Sequence, residues 1–199
     1  MLKDLGIEVG DIDGVIGPQT RIALEKWQNR LRGVTPREGE VAHQPSMWPR
    51  QRDVPGFYGM VGQSQQMLTL PYPMKLAWDV SKLVTRISVH AKVHASAGRA
   101  FSAIKAHYGP EKIAALGLDL YGGSLNVRKM RGGSAYSMHS WGIAIDFDPE
   151  HNQLRWGRDR ARMARPDTAP FLDIWESEGW ISLGRERNYD WMHVQAARL

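Results

Sequence analysis

Apolar residues recur at helical spacing in two parts of the chain. In the first, residues 20–31 place apolar side chains three and four positions apart, which predicts a helix that ends near Gly33. In the second, the apolar positions of residues 79–108 predict one or two helices, with a break at Gly98 and a stop at the Gly109–Pro110 pair. Residues 112–116 predict one more short helix.

In the last third of the chain, segments with strand-like alternation of apolar residues flank a segment with helical spacing. Residues 142–148 and 191–196 alternate apolar with polar or small side chains, which predicts two short strands. Residues 170–179 between them show helical spacing. Strands and helices mixed in this way predict an α+β domain.

The pattern divides the chain into three segments. Residues 1–33 predict a short helical segment with a tight turn, and residues 34–57 are rich in Pro, Arg, Glu and Gln with weak periodicity, which is typical of a linker. Residues 58–199 carry the α+β pattern and are expected to form the main domain.

Composition mainly excludes classes of protein. With 42% hydrophobic and 24% charged residues the chain is expected to fold, and the absence of cysteine excludes disulfides, thiolate ligands and a cysteine nucleophile. Any metal site must therefore use His, Asp or Glu. No apolar run approaches the roughly 20 residues that span a bilayer, so we expect no stable membrane insertion. The first residues show no secretory signal, which predicts a cytoplasmic protein.

The net charge of +5 and pI of about 9.6 favour polyanionic partners. On charge alone, nucleic acid, anionic lipid and anionic cell wall are equally consistent, and an ordinary basic surface explains the charge at least as well. Nothing in the sequence resembles a basic recognition helix, so we expect no nucleic-acid partner.

The first stretch that suggests chemistry is residues 137–148. In an extended strand three apolar side chains share the face that enters the core: Ile143, Ile145 and Phe147. Asp146 and Asp148 share the opposite face and would line a cleft. His139 lies seven positions before Asp146, and Gly142 can supply the bend that brings it to the same side.

The second such stretch is residues 189–195. As a strand it places His193 and Gln195 on one face with Trp191, while Asp190 precedes the strand and can lean over the same cleft. Two imidazoles and one carboxylate, His139, Asp146 and His193, are a ligand set suited to zinc with a fourth position open for water. Each residue alone is weak evidence, because a lone histidine is more often structural. The joint pattern His-x6-Asp and Asp-x2-His carries the inference.

These two stretches resemble a known family. Ser137-x-His139-x-x-Gly142-x-Ala144-x-Asp146, followed by Asp190-x-x-His193, is similar to the paired motifs of the zinc D-Ala-D-Ala carboxypeptidase and L-Ala-D-Glu endopeptidase family. That family includes phage endolysins and shares the fold of hedgehog signalling domains. The resemblance covers about residues 58–199, and it implies a small antiparallel sheet with flanking helices.

The resemblance also implies roles for single residues. One Zn²⁺ ion would be held by the three ligands named above. Asp190 matches the general base, a role that often falls to Glu in the family. Arg128 matches an arginine that holds a substrate carboxylate or the polarised carbonyl oxygen, with a surface ion pair as the alternative. Ser137 would touch substrate or orient His139, or be a plain loop hydroxyl.

The N-terminal segment carries a second, weaker resemblance. Residues 10–28 are similar to the latter half of the small helical peptidoglycan-binding domain. About thirty residues seldom form a stable core alone. A helical hairpin with no binding function therefore remains an equal alternative for this segment.

Together these observations predict a monomeric zinc peptidase that cuts the stem peptides of peptidoglycan. The first hypothesis is an L-Ala-D-Glu endopeptidase of phage or prophage origin, which would wait in the cytoplasm until it is released to the cell wall. A D-Ala-D-Ala carboxypeptidase is the alternative within the same class. A zinc-stabilised module that binds cell wall without cutting is the alternative from another class, and Asp190 argues against it because a pure binder needs no base.

Overall fold

The computed structural model describes residues 48–130 and 132–199. The chain divides into two compact units, Met1–Gln44 and Pro45–Leu199, and the described residues belong to the second. The predictions for residues 1–33, and for the part of the linker before residue 48, lie outside the described residues. None of the described helices is long and apolar enough to cross a membrane.

The domain begins earlier than the sequence pattern predicts. A 3-10 turn, Gln51–Asp53, leads into helix α1, Val54–Tyr58. Trp48 and Val54 are buried in the core, and the Tyr58 hydroxyl donates a hydrogen bond to the carbonyl of Ala196. Residues in this stretch therefore pack together with the chain that follows them. The apolar residues that anchor this stretch are too few and too irregularly spaced to form a recognisable period.

Six strands form one sheet in the order β2-β1-β3-β4-β6-β5. The strands are β1, Gln65–Leu76; β2, Asp79–His90; β3, Leu120–Gly123; β4, Ala144–Phe147; β5, Ile181–Ser182; and β6, His193–Gln195. Neighbours are antiparallel except β1 and β3, which run parallel. The α+β class is confirmed, but the sheet is mixed rather than antiparallel.

The first part of the predicted helical region is a strand. Residues 79–90 form β2, which pairs along most of its length with β1. The apolar residues of this stretch are irregularly spaced, so their pattern is compatible with either a helix or a strand. The many β-branched side chains favour the strand once β1 is present to pair with it. The β1 strand itself was not predicted, because Pro71 and Pro73 interrupt its pattern. Both prolines fall where the β1–β2 register shifts, so they remove no regular ladder bond.

Helix α2, Ala91–Leu116, is the second part of that region. His90 caps its start, since the Nδ1 atom accepts a hydrogen bond from the backbone N–H of Lys92. Gly98 does not break the helix. The predicted stop at Gly109 and Pro110 is a kink with φ of 69° at Gly109, and the predicted short helix follows within α2.

An aromatic cluster holds helices α2 and α3, Ala169–Ser177, against the sheet. Phe101 lies 5.2 Å from Trp175, and Phe147 lies 4.9 Å from Phe171, measured between ring centroids. The predicted inward face of β4 is confirmed, because Ile143, Ile145 and Phe147 are fully buried. Burial of this face leaves the opposite face of β4 to present Asp146. The last helix, α4, Leu183–Arg187, lies between β5 and β6.

Candidate metal centre

Two of the three predicted ligand residues face each other across neighbouring strands. Asp146 on β4 is the register partner of His193 on β6. Directly opposed residues of an antiparallel pair point to the same face of the sheet. The Nδ1 atom of His193 accordingly lies 2.9 Å from the Oδ1 atom of Asp146.

The third residue, His139, lies in a 3-10 turn, Met138–Trp141, that precedes β4. Gly142 ends this turn with φ of 66°, and it reverses the chain as the sequence predicts. The space that a Cβ atom would need at this position is filled by the side chain of Gln65. The Nε2 atom of His139 lies 3.2 Å from the Oδ1 atom of Asp146 and 3.2 Å from the Nδ1 atom of His193.

Carbonyl oxygens fix the orientation of both imidazoles. The Nδ1 atom of His139 lies 3.0 Å from the backbone oxygen of Ser124, and the Nε2 atom of His193 lies 3.1 Å from the Oε1 atom of Gln195. The Gln195 amide is itself oriented, because its nitrogen donates to the Ala197 carbonyl at 2.7 Å. A carbonyl oxygen only accepts, so each outer ring nitrogen carries the proton. The inner ring nitrogens then have lone pairs that point at the Asp146 carboxylate.

When both imidazoles are neutral, three acceptor atoms therefore meet at 2.9–3.2 Å with no hydrogen between them. Such an arrangement is repulsive unless a cation or a proton lies among them. A tetrahedral zinc ion with bonds of about 2.1 Å would place neighbouring ligand atoms roughly 3.4 Å apart. The donor set and its spacing thus fit a zinc ion, and His139, Asp146 and His193 could hold it.

The two carboxyl groups at the centre, Asp146 and Asp190, have pKa values shifted in opposite directions. Burial alone would raise the pKa of Asp146, but the neighbouring His139 and His193 outweigh it and hold this pKa well below its usual range. The pKa of Asp190 is raised, first by burial and then by the charge of Asp146, although His193, His139 and Arg128 oppose the shift. Asp146 is therefore suited to hold a cation, and Asp190 is suited to exchange a proton.

Asp190 is fixed beside the three acceptors by its backbone. Its N–H donates to the carbonyl of Leu154, and its carbonyl accepts from the N–H of His193, both at 3.0 Å. Its φ of 54° lies in the left-handed region, which Asp tolerates better than most residues. This turn delivers the side chain next to the start of β6, as the sequence predicts.

Arg128 and Ser137 form the base of a hairpin that projects beside His139. The Ser137 N–H donates to the Arg128 carbonyl at 3.0 Å, and the Ser140 hydroxyl donates to the same carbonyl at 2.8 Å. The Arg128 side chain is exposed and close enough to lower the pKa of Asp190. The Ser137 side chain is buried at the start of the 3-10 turn and makes no capping hydrogen bond there.

Asp148 does not line the cleft as the sequence predicts. Its φ of 49° turns the chain after β4, so the strand alternation ends at Phe147. The fully buried carboxylate of Asp148 accepts hydrogen bonds from Asn152 and from the Arg162 guanidinium, at 3.2 and 2.7 Å, and contacts the His151 ring at 2.8 Å. This residue anchors the loop that follows β4.

Sequence reasoning assigned no role to two contributors to the centre. Gln195 lies two residues after His193 on the same strand face, and this period-2 spacing could have identified it as a partner of the imidazole. The other contributor is the backbone carbonyl of Ser124, which has no side-chain signature. Only the folded chain brings it to His139.

Replacing Gln195 by leucine tests the importance of the oriented imidazole. The variant removes the acceptor from the Nε2 atom of His193, and we expect zinc affinity to fall about 10–100-fold. Competition with a chromophoric chelator measures this affinity. Gln195→Glu keeps an oxygen acceptor but loses the hydrogen bond to the Ala197 carbonyl, so its zinc affinity should lie between those of the leucine variant and the wild type. Wild-type affinity in a folded leucine variant would contradict the role given to Gln195.

Replacing Gly122 by alanine tests the position of Asp146. A Cβ atom at Gly122 would lie 2.9 Å from the Cβ atom of Asp146 and 3.1 Å from its carbonyl oxygen, so β4 must shift. We expect zinc affinity to fall at least about tenfold, because a displaced Asp146 no longer meets the geometry that the ion requires. Gly56→Ala is the matched control, because its Cβ would meet no atom within 4 Å. Equal affinities in titration calorimetry would contradict this prediction.

Comparison with known proteins agrees with the geometry. A family model described as D-alanyl-D-alanine carboxypeptidase matches residues 131–196, about a third of the chain. The matched stretch contains all three acceptor residues and Asp190. No curated protein and no solved structure matches. The match supports a peptidase of the zinc peptidase superfamily to which that family belongs, acting in general on peptidoglycan.

Proposed function

We propose that this chain is a zinc-dependent peptidase that hydrolyses stem-peptide bonds of peptidoglycan, and that it acts as a monomer on the L-Ala–D-Glu bond. The convergence of three lone-pair atoms from His139, Asp146 and His193 carries the proposal. Three protein ligands leave the fourth position of a tetrahedral ion open, which is the arrangement of catalytic rather than structural zinc. Asp190, whose pKa is raised, lies close enough to the three ligand residues for their charges to influence that pKa.

The roles of the surrounding residues follow from their chemistry. A zinc ion held by the three ligands would lower the pKa of water toward about 7 and polarise the scissile carbonyl. The Asp190 carboxylate accepts a proton from the attacking water and donates it to the leaving amine. Arg128 holds a substrate carboxylate or opposes negative charge on the carbonyl oxygen. Ser124 and Gln195 keep the two imidazoles in the required tautomer.

A groove of about 780 Å³ lies along one side of the turn that carries His139, and its walls are largely apolar, including Met60, Tyr136, Met138 and Trp141. None of the three ligands lines this groove, and neither does Asp190. An endopeptidase must hold substrate on both sides of the scissile bond, and the groove is our candidate for one of those sides.

A D-Ala-D-Ala carboxypeptidase is the second candidate. The description of the matched family model favours it. In that case the exposed guanidinium of Arg128 would bind the terminal carboxylate of the substrate. Both candidates use the same centre and differ in the bond that is placed over it.

Digestion of purified peptidoglycan tests the proposal. We expect the full chain to release soluble peptides, a chelator to stop the release, and added zinc to restore it. Mass spectrometry then distinguishes the bonds, since a new amino-terminal D-Glu indicates the endopeptidase and free D-Ala the carboxypeptidase. Binding without release would overturn the proposal in favour of a cell-wall-binding module. The lysin role is tested separately by the turbidity of cell suspensions after the protein is added.

A further inference from the structure

An arginine-rich loop lies beside the candidate centre and has no role in the proposed chemistry. Residues 154–160, called the arginine loop below, contain three exposed arginines, Arg155, Arg158 and Arg160, against one acid, Asp159. Within residues 48–130 and 132–199, none of the three forms a salt bridge. Three guanidiniums against one carboxylate on a single short loop form a concentrated positive patch.

Hydrogen bonds fix the arginine loop to the chain that leads into β6. The carbonyl of Leu154 accepts from the Asp190 N–H at 3.0 Å, and the N–H of Arg158 donates to the Oδ1 atom of Asn188 at 2.7 Å. The same Asn188 oxygen accepts from the indole N–H of Trp191 at 3.3 Å. The loop is therefore held next to Asp190, at the edge of the cleft.

Two of the guanidiniums are already ordered against tryptophan rings. Arg158 lies 5.8 Å from the ring centre of Trp191, and Arg160 lies 4.4 Å from that of Trp156. A stacked guanidinium loses less freedom on binding, and its N–H edge stays available for an oxyanion. Asp159 turns its carboxylate back toward Gly157, where a Cβ would lie 3.0 Å from the Oδ1 atom.

We propose that the arginine loop binds a polyanion attached to the cell wall and so holds the substrate polymer next to the cleft. Repeated oxyanions along one polymer can engage all three guanidiniums, and arginine binds phosphate or carboxylate through two parallel hydrogen bonds. Phosphate groups of wall-attached polymers and carboxylates of the stem peptides share this chemistry. The location in the wall rests on the proposed function, whereas the binding of the polyanion requires no hydrolysis.

Binding to purified cell walls tests this inference separately from catalysis. All proteins are full-length and carry Asp190→Asn, which keeps the wall intact during the measurement. The test variant adds Arg155→Gln, Arg158→Gln and Arg160→Gln. The control variant adds Arg86→Gln, Lys105→Gln and Lys112→Gln, which remove the same charge from exposed positions on β2 and α2. Sedimentation measures the Kd on walls that bear a phosphate polymer and on walls stripped of it by hydrofluoric acid.

We expect the test variant to bind at least about tenfold more weakly than the parent on the walls that carry the anion, and the control variant to stay within about twofold. If the test variant loses affinity only for the unstripped walls, the bound anion is phosphate. If it loses affinity for both preparations, the bound anion is carboxylate. Unchanged binding of the test variant, or an equal loss in the control, would overturn the proposal. Equally tight binding of the parent to a DNA duplex of matched charge would also overturn it, since the loop would then be an unspecific cationic surface.

Discussion

Replacing His139 by alanine will remove the metal from the protein and lower peptidase activity by at least about 10³-fold. The Nε2 atom of His139 is one of three lone-pair atoms that lie 2.9–3.2 Å apart, and two remaining ligands bind a divalent ion far more weakly. Activity falls with the metal because activation of water and carbonyl depends on it. Metal content by mass spectrometry and peptide release from peptidoglycan measure the two effects.

His90 supplies the matched control for that experiment. It is another buried histidine, but its ring caps helix α2 and lies 3.0 Å from the Tyr58 carbonyl, and it contributes no atom to the group of three acceptors. We expect His90→Ala to lower the free energy of unfolding by at least about 1 kcal/mol, because it removes a helix cap and leaves a cavity, while metal content stays near one equivalent. If both variants lost the metal equally, the effect of His139→Ala would reflect unfolding rather than loss of a ligand.

Asp190→Asn will have the opposite combination of effects, with the metal retained and turnover reduced about 10²–10⁴-fold. The amide preserves the shape of the side chain and tolerates the φ of 54°, but it cannot accept the proton of the attacking water. Asp190 contributes no atom to the group of three acceptors, so the ion should stay bound. Single-turnover kinetics with a synthetic stem peptide, together with metal analysis, measure this separation.

Glu111→Gln is the corresponding control, since it removes an exposed carboxylate from helix α2 and should leave turnover unchanged. Asp190→Glu should retain part of the activity, because it keeps a proton acceptor on a longer arm. Wild-type turnover in Asp190→Asn, or a metal-free variant, would show that Asp190 is not the base.

The strands that carry the centre could be predicted because their pattern is local. Alternation over 142–148 identified the buried face of β4, and the same period placed His193 and Gln195 on one face of β6. Gly142 was identified for the same reason, because a turn with positive φ favours glycine. These local features were enough to bring His139, Asp146 and His193 into one hypothesis.

The rest of the fold depends on contacts between distant parts of the chain. Residues 79–90 became a strand through pairing with β1, and their own pattern suited a helix as well. Asp148 left the predicted face because the strand ended one residue earlier and because Arg162 offered a buried partner. The Ser124 carbonyl became part of the centre only through the position of its backbone. Sequence periodicity contains none of this information.

The short segment after His193 connects the candidate centre to the start of the domain. Beyond β6, the Arg198 N–H donates to the Pro49 carbonyl at 2.8 Å, and its carbonyl accepts from the Gln51 N–H at 2.7 Å. One stretch of chain thus contributes a nitrogen of the candidate metal centre at one end and holds residues 49–51 at the other. Thermodynamic reciprocity applies to any coupling along this stretch: if a contact at residues 49–51 changes the affinity for the ion, the ion changes the strength of that contact by an equal free energy.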